Sequence, residues 1–199
     1  MALNLLYMNQ GGGGDWGTLD YRDYQILCLA ESTADTKKNF TEVYNSKTTP
    51  PMVVQTLTAN GRVVTAVKDL DVIAQEVRPI VTFQIVATKI IVVFFHFKSG
   101  DEAIATSALQ NAVVQYLKLT GNNTGVPTLW IGDYNRALLD PLNAVFKDVN
   151  VLKSGGGIAK WSLDKAVITG AWGDTKVAAK EVSRSSDNQH IGISVSFSY

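Results

Sequence analysis

Six consecutive apolar residues, Ile90 to Phe95, constrain the fold of this chain more than any other stretch. The run is rich in β-branched and aromatic side chains and too short to be a typical helix, so it reads as a strand covered on both faces. A strand of that kind belongs at the centre of a sheet that has a layer on each side. Thr128 to Ile131 reads the same way, and further strand-like runs bounded by Gly, Asn, Asp or Pro lie at Asn4 to Met8, Tyr24 to Leu29, Pro51 to Leu57, Arg62 to Val67, Pro79 to Val86, Leu163 to Thr169, Lys176 to Val182 and Ile191 to Phe197. Val53 to Leu57 and Arg62 to Val67 are joined through Ala59-Asn60-Gly61. Because Asn-Gly supplies the positive φ angles of a tight turn, the pair is expected to form a hairpin.

Helical periodicity appears in two places. Asp101 and Glu102 open a stretch with apolar Ile104, Ala105, Ala108, Leu109, Ala112, Val113, Tyr116 and Leu117, which Gly121 closes; this predicts one amphipathic helix. A shorter helix is expected over Ala137 to Phe146. Ten strands with so few helices cannot form a doubly wound array, which needs a helical crossover between successive parallel strands. Two packed sheets flanked by helices fit, and 199 residues, 46% of them hydrophobic, suffice for one such core and one domain over 1–199.

Composition removes several classes of function. Eighteen basic and eighteen acidic side chains cancel, so no global field draws in nucleic acid or an anionic membrane, and any grip on phosphate is local. A single cysteine, Cys28, excludes a disulfide framework and a cysteine-rich zinc site. No apolar run approaches the roughly 20 residues of a spanning helix, so no membrane insertion is expected. The opening MALNLLYMNQ lacks a basic n-region, which suggests a chain that is cytoplasmic or already processed. Gly11 to Gly14 reads as a loop rather than a phosphate cradle, since no Lys-Ser or Lys-Thr follows.

The two histidines, His96 and His190, each sit beside a predicted strand in a polar context. Taken singly, either suits a hydrogen-bonded structural role as well as a chemical one. In Trp130-Ile131-Gly132-Asp133-Tyr134-Asn135-Arg136, however, a buried strand ends in Gly, and extended-chain alternation aims Asp133 and Asn135 to one side and Tyr134 to the other. A carboxylate and an amide there suit an activated water and a phosphate oxygen. Glu31 closes the apolar strand that ends at Ala30, and Asn9 closes a third. Polar side chains repeatedly placed where core strands emerge read as a site.

The order Asn9, Glu31, His96, Gly132-Asp133-Tyr134-Asn135, Asp164, Asp187 and His190 resembles the endonuclease/exonuclease/phosphatase superfamily, the DNase I-like fold. The likeness covers nearly the whole chain. Within that superfamily the chain looks most like the catalytic B subunit of cytolethal distending toxin, through Arg78-Pro79-Ile80-Val81, Phe94-Phe95-His96, Trp130 to Arg136, and Ser162-Leu163-Asp164-Lys165-Ala166-Val167. The resemblance implies an α+β fold, a four-layer α/β/β/α sandwich, and hydrolysis of phosphodiesters with a divalent cation, usually Mg²⁺, with Mn²⁺ or Ca²⁺ as alternatives. It implies Glu31, Asn9 and Asp187 as cation ligands, His190 as base oriented by Asp164, Asp133 positioning or deprotonating the water, and His96 assisting the leaving oxygen or binding phosphate. Arg78, Asn135 and Arg136 would hold phosphate.

Such an enzyme would nick DNA by reading its backbone. A toxin subunit would in addition be secreted, delivered by other subunits that bind cells, and active in a target nucleus. One feature departs from the family pattern. Relatives carry Ser-Asp-His before the last strand, whereas Asn188 and Gln189 separate Asp187 from His190 here. Either a two-residue bulge returns Asp187 to the site or Gln189 fills the aspartate slot. For the glutamate that often supports the first histidine, Glu42 and Glu76 are the candidates. Two other functions share the fold: a phosphatase or phosphodiesterase acting on phosphoinositides or small phosphates, and a binding module with a degraded site.

Overall fold

The computed structural model describes residues 2–11, 19–32, 36–70, 79–97, 101–152, 163–184 and 190–199. Two six-stranded sheets pack face to face. The first contains β1 (Ala2–Asn9), β2 (Ile26–Ala30), β3 (Phe40–Asn45), β4 (Val53–Leu57), β11 (Lys176–Arg184) and β12 (Ile191–Ser198), in the order β11-β12-β1-β2-β4-β3. The second contains β5 (Lys68–Asp69), β6 (Ile80–Gln84), β7 (Ile91–His96), β8 (Thr128–Asp133), β9 (Asn150–Val151) and β10 (Asp164–Thr169), in the order β5-β6-β7-β8-β10-β9. Each sheet is mixed, with one parallel pair at its centre: β1 with β2, and β7 with β8.

Side chains alternate between the faces of both sheets, and each face meets an apolar layer. Leu5, Tyr7, Cys28, Val54, Ile193 and Val195 meet Val81, Phe94, Leu129, Ile131 and Ala166 between the sheets. The outer face of the second sheet, through Ile80, Val93, Phe95 and Trp130, takes the buried stripe of α1 (Glu102–Leu119): Ala105, Ala108, Leu109, Ala112, Val113 and Tyr116. The expected N-terminal signal holds, since the Asp101 carboxylate accepts from the backbone N–H of Ala103 and Ile104. On the outer face of the first sheet, Leu6, Met8, Leu27, Leu29, Phe40 and Val53 pack with Tyr24, Leu19 and Tyr21. Among the described residues that outermost layer is made by the single 3₁₀ turn Tyr21–Asp23 and its neighbours rather than by a long helix. Burial on both faces explains why the central strands carry no polar alternation. No helix among the described residues is long and apolar enough to cross a membrane.

Three local expectations need correction. Val53–Leu57 and the segment after Gly61 do not form a hairpin. β4 pairs with β2 and β3 in the first sheet, while Val64 bridges to Ile85 and Lys68–Asp69 pairs with β6 in the second. Gly61 does take the expected positive φ, 63°, but the segment serves as a crossover between sheets. The expected helix over Ala137 to Phe146 contracts to α2 (Asp140–Asn143), four residues with Pro141 in the first turn. β3, which pairs with β4 across a register shift between Glu42 and Tyr44, lies in a stretch where no strand was expected.

Candidate active site

Backbone register brings the polar residues together before any side chain is considered. His96 is the β7 partner of Asp133, and Asp133 is the β8 partner of Asp164 on β10. Three adjacent strands therefore present an imidazole and two carboxylates on one rung. The residues two positions inward, Phe94, Ile131 and Ala166, all lie in the inter-sheet core, so this rung faces the first sheet. Across the gap, β1 ends in Asn9, whose rung partner is Ala30 on β2, and Glu31 follows at φ 47°, which turns the chain. β12 runs antiparallel to β1, so His190, just before it, returns to the same rim.

Gly132 makes the rung possible. A Cβ on it would stand 2.0 Å from the carbonyl oxygen of Phe95, its partner on β7, so a side chain there would push the two strands apart.

Asp133 is wholly buried and sits at the centre. Its Oδ2 accepts from Asn9 Nδ2 at 3.1 Å, lies 3.3 Å from His96 Nε2 and 3.6 Å from His190 Nδ1, while Oδ1 accepts the Asn135 N–H at 2.8 Å. Glu31 Oε1 is 3.7 Å from His96 Nε2. Asp164, also wholly buried, is ringed by donors: Tyr7 gives its hydroxyl to Oδ1 at 2.7 Å, and Oδ2 takes the Ile191 N–H at 2.8 Å and lies 3.2 Å from His190 Nδ1. Asn9 Nδ2 also approaches His190 Nδ1 at 3.2 Å. Two carboxylate oxygens, Asp164 Oδ2 and Asp133 Oδ2, lie beside Nδ1, surroundings that favour the tautomer with its proton on that nitrogen.

Charge burial shapes the site. Removal from water pushes the Asp164 carboxyl above the ordinary carboxylate range; the hydrogen bond from His190 opposes this and the charge of Asp133 adds to it. Burial, reinforced by Asp164 and Asp133, drives the Tyr7 phenol well above its usual value, so Tyr7 stays a donor. The Lys165 ammonium, held 5.2 Å over the Tyr134 ring, is drawn below the ordinary lysine range by burial, while Asp133 and Asp164 oppose that shift.

The sequence-derived set therefore converges in large part. Asn9, Glu31, His96, Asp133, Asp164 and His190 share one rim. Asn135 is adjacent and buried, but its side chain turns back, donating from Nδ2 to the Phe97 carbonyl at 2.5 Å. Arg136 follows, exposed, at φ 72°. Arg78, Asp187, Gln189 and Glu76 lie outside the described residues. Glu42 is on edge strand β3 and accepts from Asn45 at 3.3 Å, whereas the glutamate that meets His96 is Glu31. One residue was overlooked: Tyr7, which reads as an apolar strand residue.

One ligand atom each from Asp133, Asp164 and His190 fall within 4.8 Å of one another, the spacing of a cation cluster. The two oxygens of Asp164 already accept from Tyr7 and Ile191, so its contact with His190 suits an orienting carboxylate better than a cage. Glu31, whose side chain is partly exposed, and the Asn9 amide oxygen are hard oxygen donors of the type a divalent magnesium-like ion takes, and these donor types fit one.

Truncated TDP2 from Caenorhabditis elegans shares this architecture with a TM-score of 0.69 at 12% identity, covering 100% of this chain and 98% of that one. D. rerio TDP2 complexed with a single-strand DNA product gives 0.66 at 12% identity over 100% and 99% of the two chains. The mannosyl-6-phosphatase of Bacteroides thetaiotaomicron gives 0.61 at 11% identity over 99% and 100%. No protein-family profile and no curated protein sequence matches the chain. What is shared at such identities is the fold: two mixed β-sheets with few helices, in the DNase I-like arrangement.

Proposed function

We propose that this protein is a metal-dependent phosphodiesterase that nicks DNA. The observation that carries the reading is the junction at Asp133 Oδ2, where Asn9, His96 and His190 meet, with Asp164 behind His190. A phosphodiester is an anion, so attack by water needs a base, charge neutralisation at the nonbridging oxygens and an acid for the departing oxygen. His190, its Nδ1–H given to Asp164, supplies the basic Nε2. Asp133 positions the water, and His96, between Glu31 and Asp133, donates to the leaving oxygen. Glu31 and Asn9, with Asp187, would hold the divalent cation, whose charge would offset that of the phosphate. Arg78 and Arg136 grip phosphate, and local grips of this kind suit a chain with no net charge. The single-strand DNA product on the D. rerio TDP2 structure supports DNA as the substrate class. In its toxin-subunit form the reading adds cell-binding delivery subunits and a nuclear destination.

A second reading, a phosphatase on phosphoinositides or small phosphates, is favoured by the balanced charge and by the mannosyl-6-phosphatase of the same architecture. Supercoiled plasmid with Mg²⁺, with and without chelator, separates the two. Relaxed circles formed only with metal, and lost in His190→Ala and Asp133→Ala, support the nuclease. Phosphate released from phosphoinositides or mannose 6-phosphate without nicking supports the second reading. A folded protein inactive on all of these favours the binding module.

A further inference from the structure

Tyr7 is wholly buried on β1, two residues before Asn9, and so points into the same inter-sheet gap. Its ring packs edge-on against Phe94 with centroids 6.0 Å apart, and only its hydroxyl reaches the polar rim. That hydroxyl donates to Asp164 Oδ1 at 2.7 Å, a bond that crosses from the first sheet to the second. The other oxygen of Asp164 takes the Ile191 N–H and faces His190 Nδ1.

We propose that Tyr7 is a positioning residue for the reaction: by pinning Oδ1 of Asp164 it fixes the carboxylate plane, so that Oδ2 holds the proton on His190 Nδ1 and Nε2 remains the base. A buried carboxylate with one oxygen unpinned can rotate about its Cβ–Cγ bond, and with one donor fewer it is held less firmly as an anion. Either change weakens the acceptor that keeps His190 in one tautomer. Tyr7 is wholly buried and its hydroxyl goes to Asp164, so it acts through that carboxylate. The inference rests on the phosphodiesterase reading for its kinetic consequence, but not for its structural one.

Tyr7→Phe keeps the ring and removes the hydroxyl. The expected result is a fall in kcat for plasmid nicking of about 10- to 100-fold, with KM within about twofold, on the scale of a lost hydrogen bond to a charged group. On an Asp164→Asn background Tyr7→Phe should cost nothing further, whereas a merely structural role would add its loss to that of Asp164→Asn. Nitrogen-15 spectra give a readout without substrate. The chain has two histidines, so His190 is identified by comparison with His96→Gln, and its single-tautomer pattern in the native chain should become averaged in Tyr7→Phe and in Asp164→Asn. An unchanged tautomer pattern in both variants overturns the assignment, and so does a full additional kcat loss in the double variant. If the native chain cleaves no phosphodiester, the functional reading fails and the tautomer comparison still decides the role of Tyr7.

Discussion

His96 and Asp133 occupy the last shared rung of the parallel pair β7 and β8, with Nε2 of the imidazole 3.3 Å from Oδ2 of the carboxylate. The same oxygen takes the Asn9 amide and lies 3.6 Å from the other imidazole. One buried atom thus links both histidines, and the two rings respond together to any change in it.

Replacing Asp133 by Asn exchanges that shared acceptor for an amide while keeping the shape. Steady-state nicking by Asp133→Asn should fall at least about 100-fold, the usual scale for losing a positioned acid–base group. Because Asp133 and His96 are in contact, the double variant with His96→Gln should lose clearly less than the product of the two single losses. A fully multiplicative loss would mean that the two groups act apart.

The rim was legible in the sequence wherever a continuous apolar strand stops at a polar residue. Asn9, Glu31, His96 and Asp133 all follow that pattern, because a strand buried on both faces has no reason to end in a charge unless the charge stands at an opening. The error at Asn60-Gly61 has a physical source as well. A turn sequence reports local φ angles, here satisfied at Gly61, but carries no information about which sheet receives the chain that leaves it. β3 escaped because only Phe40 among its residues is fully buried, so its pattern is that of an exposed edge. Tyr7 escaped for the opposite reason. It sits within a run of apolar residues and reads as core, and its polar partner lies 157 residues away on another sheet.

Gly132→Ala tests whether the rung depends on backbone approach. An added Cβ would lie 2.0 Å from the Phe95 carbonyl oxygen, a backbone atom that cannot swing aside, so β7 and β8 must separate or slip. Denaturant unfolding should show a loss of about 1–3 kcal/mol, the range for overpacking a tight interior. Nicking measured well below the unfolding midpoint should fall as well, since the displaced rung is next to His96 and Asp133. Full activity in a destabilised variant would show that the catalytic geometry tolerates the shift.

Cys28 should be inert in the folded protein. It lies wholly buried in the inter-sheet core, and burial pushes its thiol far above the ordinary range, so almost no thiolate forms at pH 8. An aromatic disulfide reagent should label no thiol in native buffer and one per chain in denaturant. Rapid labelling of the native protein would place Cys28 outside the core.

Gly11→Ala separates cation binding from the chemical step. The Gly11 N–H donates to Asn9 Oδ1, and a Cβ on Gly11 would fall 1.5 Å from Glu31 Oε2, the far end of a flexible side chain. The Glu31 carboxylate can rotate away at little cost to the fold, so the melting temperature should stay close to that of the native chain. The rotation would take one of the proposed cation donors out of place while leaving Asp133, Asp164 and His190 where they are. The Mg²⁺ concentration for half-maximal nicking should therefore rise about tenfold, the scale of a disturbed ligand shell, with kcat at saturating Mg²⁺ within about twofold of native. A fall in kcat that saturating Mg²⁺ does not restore would assign Glu31 to the chemical step, through its contact with His96, instead of to the cation.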